Sequence, residues 1–470
     1  MSATATTEKK YLKWYQKLAY GSGDLASNCS YGLVSSFVLL YLTGTLGLDS
    51  AIIGSLMLAS KVLDGISDVI FGTLIDRTHS KLGKARPWML FGQVGVSLCL
   101  FLLFAIPAGS TTMQYIYFFI VYTALNAVFY TANGIAYSSL VALITKNNNE
   151  RVQLGSFRFM FAVVTNIFMG FAVTGMVEKF GGGAAGWRTT ALIFAIVGLV
   201  VNTISCLAVK ELPEEELSDN TSEAAEEGKA VAEEKKHGFA ETAKILVHNK
   251  YYLMILAIYI VYYIMSNLTT GAGVFCATYY WGDGSLLGQF SMMKMFPVII
   301  ALAIAPVLIK KTGSMQKVNF WGYAISSVLG IPMIYFAMQK NLSMFLLFMF
   351  IKGIFAGTLS GSLNALIAEA SGYTTRTTGI HMDGMMYSCS SLGVKVGGGI
   401  GTAAVGWLLK LGGFVGTATV QSESAIRMIF NLYITFPFVI GIIITVLLTF
   451  LDVEKANKKW DAEHQKEAQA

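Results

Sequence analysis

Residues 61–87 read KVLDGISDVIFGTLIDRTHSKLGKARP, and this stretch decides the fold. Its first part continues an apolar run from Ile52 to Ile75. That is about the ~20 residues that cross a hydrocarbon core. Yet the run carries Lys61, Asp64 and Asp68. On a helix, positions 61, 64, 68 and 72 share one face. Even low estimates put a charge at mid-span at ~2.5–3.5 kcal/mol, so such residues face a polar cavity and mark an ion or solute path. Two carboxylates one turn apart repel, and a bound cation relieves that repulsion. The spacing therefore predicts a monovalent cation or proton at Asp64 and Asp68, with Ser67 offering a further oxygen. The plainer reading is an internal ion pair with Lys61, but one lysine cannot neutralise both acids. After Gly72 the stretch turns charged. Asp76 and Arg77 end the helix, and Lys81, Lys84 and Arg86 follow. This loop reads either as a topology anchor or as a latch between helices at an inner gate.

Composition points the same way. The chain has 470 residues, of which 54% are hydrophobic and only 13% charged. Soluble proteins carry roughly 25% charged residues. The balance predicts an all-α membrane protein and excludes a soluble domain. A net charge of +6 is no argument for nucleic acid. Five cysteines, all in apolar runs, have neither metal spacing nor the pattern of a disulfide framework. No nucleophile–base set is visible, so no enzyme and no cofactor is expected.

Apolar windows give twelve expected spans, at about 19–47, 51–75, 88–107, 114–144, 156–177, 188–209, 251–277, 286–309, 318–338, 343–370, 381–410 and 425–451. The opening MSATATTEKKYLKWYQK is polar and basic, which reads as a cytoplasmic tail rather than a cleavable signal. Basic residues concentrate in alternate loops, which predicts both termini in the cytoplasm. Residues 210–250 are rich in Glu, Lys and Ala and read as a solvated linker. The expected division is thus a six-helix bundle over 1–209, a linker over 210–250, a second six-helix bundle over 251–451 and a tail over 452–470. Two such bundles around a central site are the plan of the major facilitator fold.

Polar residues inside the spans supply candidates. In the first, Asp24 and Asn28 lie one turn apart. Asp24 either caps a helix start or, with Asn28, accepts from solute hydroxyls. In the fourth, Asn126, Tyr130, Asn133 and Tyr137 form a stripe that either glues helices or lines a cavity, with Thr131 on its flank. Arg158 in the fifth span either snorkels or reaches inward to a carboxylate or sugar. The seventh carries Tyr259, Tyr263, Asn267 and Thr270. Rings and amides of this kind suit a sugar, or pack helices. In the tenth, Lys352 could snorkel outward and Glu369 lies near the inner end, so both read as more often structural, while Lys352 with Arg158 and Lys395 leaves an anionic solute open. The eleventh carries Tyr387, Ser391 and Lys395 at four-residue spacing. Lys395 needs a counter-charge, for which Asp64 or Asp68 is the candidate.

With these residues in view, the chain resembles the glycoside–pentoside–hexuronide:cation symporters. The resemblance rests on YGSGDLASN, on DGISDVIFG with the following DRTHSKLGKARPW, and on YSCSSLGVKVGGG. It implies that Asp64 and Asp68 hold Na+, Li+ or H+, with Lys61 as the neighbouring base and Thr131 as a hydroxyl ligand. It implies that Arg158 binds sugar and that Lys395 is the eleventh-helix lysine. The first-helix sugar acid falls on Asn28, with Asp24 one turn earlier, and a fourth-helix acid falls on Gly134 beside Asn133. A loop pattern appears as His381 and Asp383. The expected function is cation-coupled import of a glycoside, oligosaccharide or uronide across an inner membrane. The partners are then a sugar, a monovalent cation and the bilayer. The alternatives are transport of another solute, such as an amphipathic anion, lipid or drug, or a transporter-like ligand sensor.

Overall fold

The computed structural model describes residues 9–213, 245–380, 383–418 and 420–467. Residues 214–244 of the expected linker, the first eight residues, His381, Met382, Thr419 and the last three residues lie outside it. The described chain is helical. In order the helices are α1 (Trp14–Thr45), α2 (Ser50–Asp76), α3 (Arg86–Leu103), α4 (Thr111–Ile144), α5 (Asn148–Lys179) and α6 (Gly183–Leu207). There follow α7 (Lys250–Tyr280), α8 (Leu286–Thr312), α9 (Met315–Met338), α10 (Leu342–Thr378), α11 (Asp383–Leu411), α12 (423–450) and a short α13 (Val453–Glu467).

Among the described residues, eleven helices are long and apolar enough to cross a membrane. α2 has the length, at 27 residues, but carries Lys61, Asp64 and Asp68 within one membrane thickness. With it the twelve expected spans are all present as helices, and the protein is a multi-pass membrane protein. Two run furthest past their expected ends. α5 begins at Asn148 rather than 156, and α10 continues to Thr378 rather than 370. The added turns are polar, so an apolar window trims them although the backbone stays helical.

Helix starts are written locally. The side chains of Asp49, Ser110, Asn147, Asn249, Ser314 and Asn341 each accept from backbone N–H groups in the first turn that follows. Pro87 sits in the first turn of α3, where its missing N–H leaves no gap. Four spans contain a π-helical segment: Tyr41–Thr45, Ala124–Tyr130, Cys276–Tyr280 and Asn431–Thr435. Such bulges recur at functional sites, and the second ends beside Thr131.

Two helix ends are closed from a distance in the same way. Glu211, just past α6, accepts from the N–H groups of Lys84, Ala85 and Arg86 at 2.7–3.1 Å, at the start of α3. Glu454, just past α12, accepts from Met315 and Gln316 N–H at 2.8 and 3.2 Å, and from the Ser314 hydroxyl, at the start of α9. A carboxylate at a helix N-terminus satisfies stranded donors and meets the positive end of the dipole. Glu211 was expected in the solvated linker. The first residues of that segment instead pack here, and Leu212 N–H donates to Leu143 O at 2.9 Å.

The chain divides into two compact units. Unit 1 is Met1–Asp219 with Ala277–Gly288 and Gly406–Ala425, and unit 2 is Asn220–Cys276 with Gln289–Val405 and Ile426–Ala470. In unit 1, Tyr20, Met89, Tyr137, Leu140 and Leu154 form a buried core. In unit 2, Ile255, Ile258, Tyr323, Leu366 and Leu448 do so. Unit 1 also joins the start of α2 to the end of α11. Ser50 Oγ donates to Gly406 O at 2.9 Å, Trp407 Nε1 to Ser55 Oγ at 3.0 Å, and Lys410 Nζ lies 2.6 Å from Asp49. A side chain on Gly406 would collide with the Ser50 carbonyl, so this approach requires glycine. Partial burial pushes the Asp49 carboxyl up. Lys410 and the Ile52 and Ala51 N–H groups outweigh it and hold the group below the usual carboxylate range.

Candidate cation and solute site

α2 sorts its residues by face. Val62, Ile66, Val69 and Ile70 are exposed, Val69 by 73%, whereas Asp64 is only 6% exposed. With no water in the hydrocarbon, the apolar stripe is the one that meets lipid, and the acidic stripe turns inward. Asp64 is the hub. Its Oδ1 accepts from the Thr131 hydroxyl at 2.7 Å, and its Oδ2 lies 3.5 Å from Lys61 Nζ. Ser67 Oγ donates to the Asp64 backbone carbonyl at 2.9 Å. Asp68 is half-buried one turn further on.

Thr131 stands where the π-helical segment of α4 returns to α-helix. Its hydroxyl also lies 2.9 Å from Asn126 O. One hydroxyl hydrogen serves one of these acceptors at a time. With that hydrogen on Asn126 O, the Thr131 oxygen presents a lone pair beside Asp64, and the two together form an oxygen pair suited to a hard cation.

A second network lies on α1 and α5. Arg158 Nε donates to Asp24 Oδ2 at 2.6 Å, and the guanidinium lies 4.2 Å from the Tyr137 ring centroid. Side chains 25% and 18% exposed hold this pair, so Arg158 reaches inward rather than snorkelling. Asp24 meets Arg158 rather than serving as a helix cap. Tyr137 and Tyr20 each donate a hydroxyl hydrogen to the other's backbone carbonyl, which fixes the ring under the guanidinium. Asn28 Oδ1 accepts from Asn166 Nδ2 at 2.9 Å.

Between the two networks, Tyr31 and Tyr130 stack with centroids 5.6 Å apart, and Lys61 Nζ lies 6.0 Å from the Tyr31 ring. The structure thus brings Asp24, Asn28, Lys61, Asp64, Ser67, Tyr130, Thr131 and Arg158 together on α1, α2, α4 and α5 of unit 1. Asn133 stands apart. It is 4% exposed and donates to Gln93 Oε1 at 2.7 Å, gluing α4 to α3. Asn126 is likewise buried and donates to Tyr122 O. Asp76 and Arg77 are exposed at the end of α2.

In unit 2, Asn267 donates to Tyr263 O at 3.0 Å, Ser391 is exposed and Lys395 is half-buried on α11. Tyr259 donates to Asn364 Oδ1 at 2.8 Å. Glu369 accepts from Asn457 Nδ2 at 2.8 Å, a structural contact. Lys352, for which outward snorkelling was one reading, lines a cavity of unit 2.

Sequence reasoning missed Asn166 and Tyr31 as site members, and Lys294 altogether. Asn166 had a signal, since it lies eight residues after Arg158 on the same helix face in an otherwise apolar run.

The family described as MFS/sugar transport protein matches residues 19–455. The isoprimeverose transporter of Lactiplantibacillus pentosus is 27% identical over 467 residues, covering 98% of this chain and 93% of that protein. The putative glycoside/cation symporter YagG of Escherichia coli (strain K12) is 24% identical, covering 94% of this chain and 92% of that protein. Among solved structures, a D-xylose-proton symporter superposes with a TM-score of 0.64 at 12% identity, covering 94% of this chain and 98% of that one, which shows a shared fold. The chain belongs to the MFS/sugar transport family, the glycoside–pentoside–hexuronide:cation symporters of major facilitator fold, which are transporters and not enzymes.

Proposed function

We propose that this protein is a symporter that couples Na+, Li+ or H+ to import of a glycoside, oligosaccharide or uronide by alternating access. The observation that carries the proposal is Asp64, turned away from the lipid-facing stripe of α2 and bonded to Thr131 and Lys61. Asp64, Asp68, Ser67 and Thr131 supply oxygens to the cation. Lys61 acts as the internal counter-charge while the site is empty. At 3.5 Å its contact with Asp64 is loose, so an entering cation displaces it at small cost. Lys61 then shifts towards Tyr31, and the Tyr31–Tyr130 stack passes that shift to the solute side.

Asp24, Asn28, Tyr130 and Arg158 bind the solute, with rings against its apolar faces and polar groups at its hydroxyls. Asn267, Ser391 and Lys395 are further solute or coupling residues of unit 2. Asp76 and Arg77 take part in gating. Asn133 supports the site through Gln93. Coupling arises because each ligand favours the conformation the other needs. The names of the two relatives support a glycoside as solute, and that of the second supports a cation as partner. The distribution of basic residues supports an inner-membrane protein with both termini in the cytoplasm.

Counterflow in proteoliposomes tests the reading, with Na+, Li+ and pH varied against a panel of glycosides and uronides. The proposal expects at least one solute whose exchange depends on one of these cations. Exchange that ignores all three cations defeats the symport reading, and no exchange of any glycoside or uronide defeats the solute class.

A further inference from the structure

Unit 2 holds a cavity of about 190 Å³, far above the ~10–15 Å³ that admits one water. It is lined from α7, α8, α9, α10 and α12. None of the residues assigned above to cation or solute lines it. Two lysines do, Lys294 on α8 and Lys352 on α10, together with Ser266, Ser326 and Ser327. Lys294 Nζ lies 3.1 Å from Thr270 Oγ1 and 3.3 Å from Thr269 Oγ1. Among the described residues its partners are thus neutral hydroxyls. Among the described residues neither lysine forms an ion pair, and no carboxylate lines the cavity.

Tyr323 adds an independent sign. It is 2% exposed, lines the cavity, and its hydroxyl is buried without a hydrogen-bond partner among the described residues. Buried polar groups are nearly always satisfied, so an orphan marks a missing partner. Thr269, Tyr262 and Tyr433 also line it, and the remainder of the wall is apolar, including Met265, Met293, Phe345 and Met349.

Each of these two ammonium groups at membrane depth carries a desolvation cost. One ligand class answers both the surplus positive charge and the orphan hydroxyl, namely an oxyanion. We propose that this cavity is an anion site, in which Lys294 and Lys352 hold a carboxylate, sulfonate or phosphate and Tyr323 donates to it. Charge-assisted hydrogen bonds are the strong ones, and the methionine and phenylalanine wall accepts an apolar appendage. Two sources carry this chemistry, a soluble acid and the headgroup of an anionic lipid. The proposal stands apart from the symport reading, because it uses no residue of the site in unit 1.

The test is thermal unfolding of the purified full-length protein. In phosphatidylcholine nanodiscs it is titrated with sodium sulfate, inorganic phosphate and glucuronate at fixed ionic strength. In parallel, phosphatidylglycerol nanodiscs are compared with phosphatidylcholine ones. The expected result is a rise in Tm in at least one arm. Lys294→Met and Lys352→Met each weaken the apparent Kd at least about tenfold, as loss of one charge-assisted contact does. Lys294→Arg keeps the response and covers the case of a methionine variant that does not fold. Lys179→Met, an exposed lysine outside the cavity, responds like wild type. A response in the soluble arms assigns the site to a soluble acid, and a response in the lipid arm alone assigns it to a headgroup. No rise in any arm, or a rise that both methionine variants retain in full, overturns the proposal.

Discussion

The two compact units handle charge at membrane depth in opposite ways. In unit 1 it is met by a partner: Arg158 by Asp24 at 2.6 Å, and Asp64 by Lys61 and Thr131. In unit 2, Lys294 and Lys352 share a cavity that no carboxylate lines. The frames around these interiors nevertheless repeat. Glu211 beyond α6 closes the start of α3, and Glu454 beyond α12 closes the start of α9. The repeated feature answers a demand every helix makes, the satisfaction of stranded N–H groups. The interiors answer to ligands, and there the units part. Internal pairing in unit 1 suits a site that must be tolerable when empty. The lysine cavity of unit 2 suits one that is seldom empty.

The comparison breaks first at Asp64. Asp64→Asn removes the acid that distinguishes unit 1, and gradient-driven solute accumulation should fall by up to about 100-fold, the upper range of coupling factors. Accumulation in proteoliposomes under an imposed cation gradient measures it. An unchanged level would remove Asp64 from the mechanism.

Next comes the paired character of unit 1. Asp24→Asn or Arg158→Gln alone strands a charge and should destabilise the protein by roughly 2–4 kcal/mol, while the double variant recovers part of that loss. Thermal unfolding of the four proteins closes the cycle. Additive losses would mean that the pair is not coupled.

The repeated frame gives a smaller effect. Glu211→Ala and Glu454→Ala each remove a cap worth about 1–2 kcal/mol. The two shifts in Tm should be similar in size, and a large inequality would show that the resemblance between the caps is only geometric.

The smallest effect concerns Asp49 and Lys410. The Asp49 carboxyl titrates below its ordinary value of ~3.9. Its contribution is therefore present above that value and is lost as pH falls through the folded one. Asp49→Asn should lower Tm slightly at pH near neutrality and match wild type in strong acid. A difference that persists at the acid end would assign it to something other than this carboxylate.

Much of this was legible beforehand. Each span is an apolar run of membrane length, and the hydrocarbon core imposes that length on any chain. Lys61, Asp64 and Asp68 announced an inward face because lipid tolerates no other. Pairings across helices were not legible. Nothing in the sequence says that Arg158 turns to Asp24, or that Asn133 is committed to Gln93 rather than to a cavity. The ends of α5 and α10 escaped because polar turns extend a helix without adding hydropathy. The direction of Lys352 was not legible because a lysine stem reaches either way, and only the packing of α7, α8, α9 and α12 around it decides which. Glu211 looked like part of an acidic linker because its capping partner lies more than a hundred residues earlier.

Symport requires reciprocity between cation and solute. Solute affinity of the purified protein, measured with and without saturating cation, is therefore the most direct test, with cation affinity measured in the same way against solute. The account predicts that each raises the other's affinity by the same factor, and that Asp64→Asn abolishes the effect. A solute affinity indifferent to Na+, Li+ and pH in the wild-type protein would contradict it.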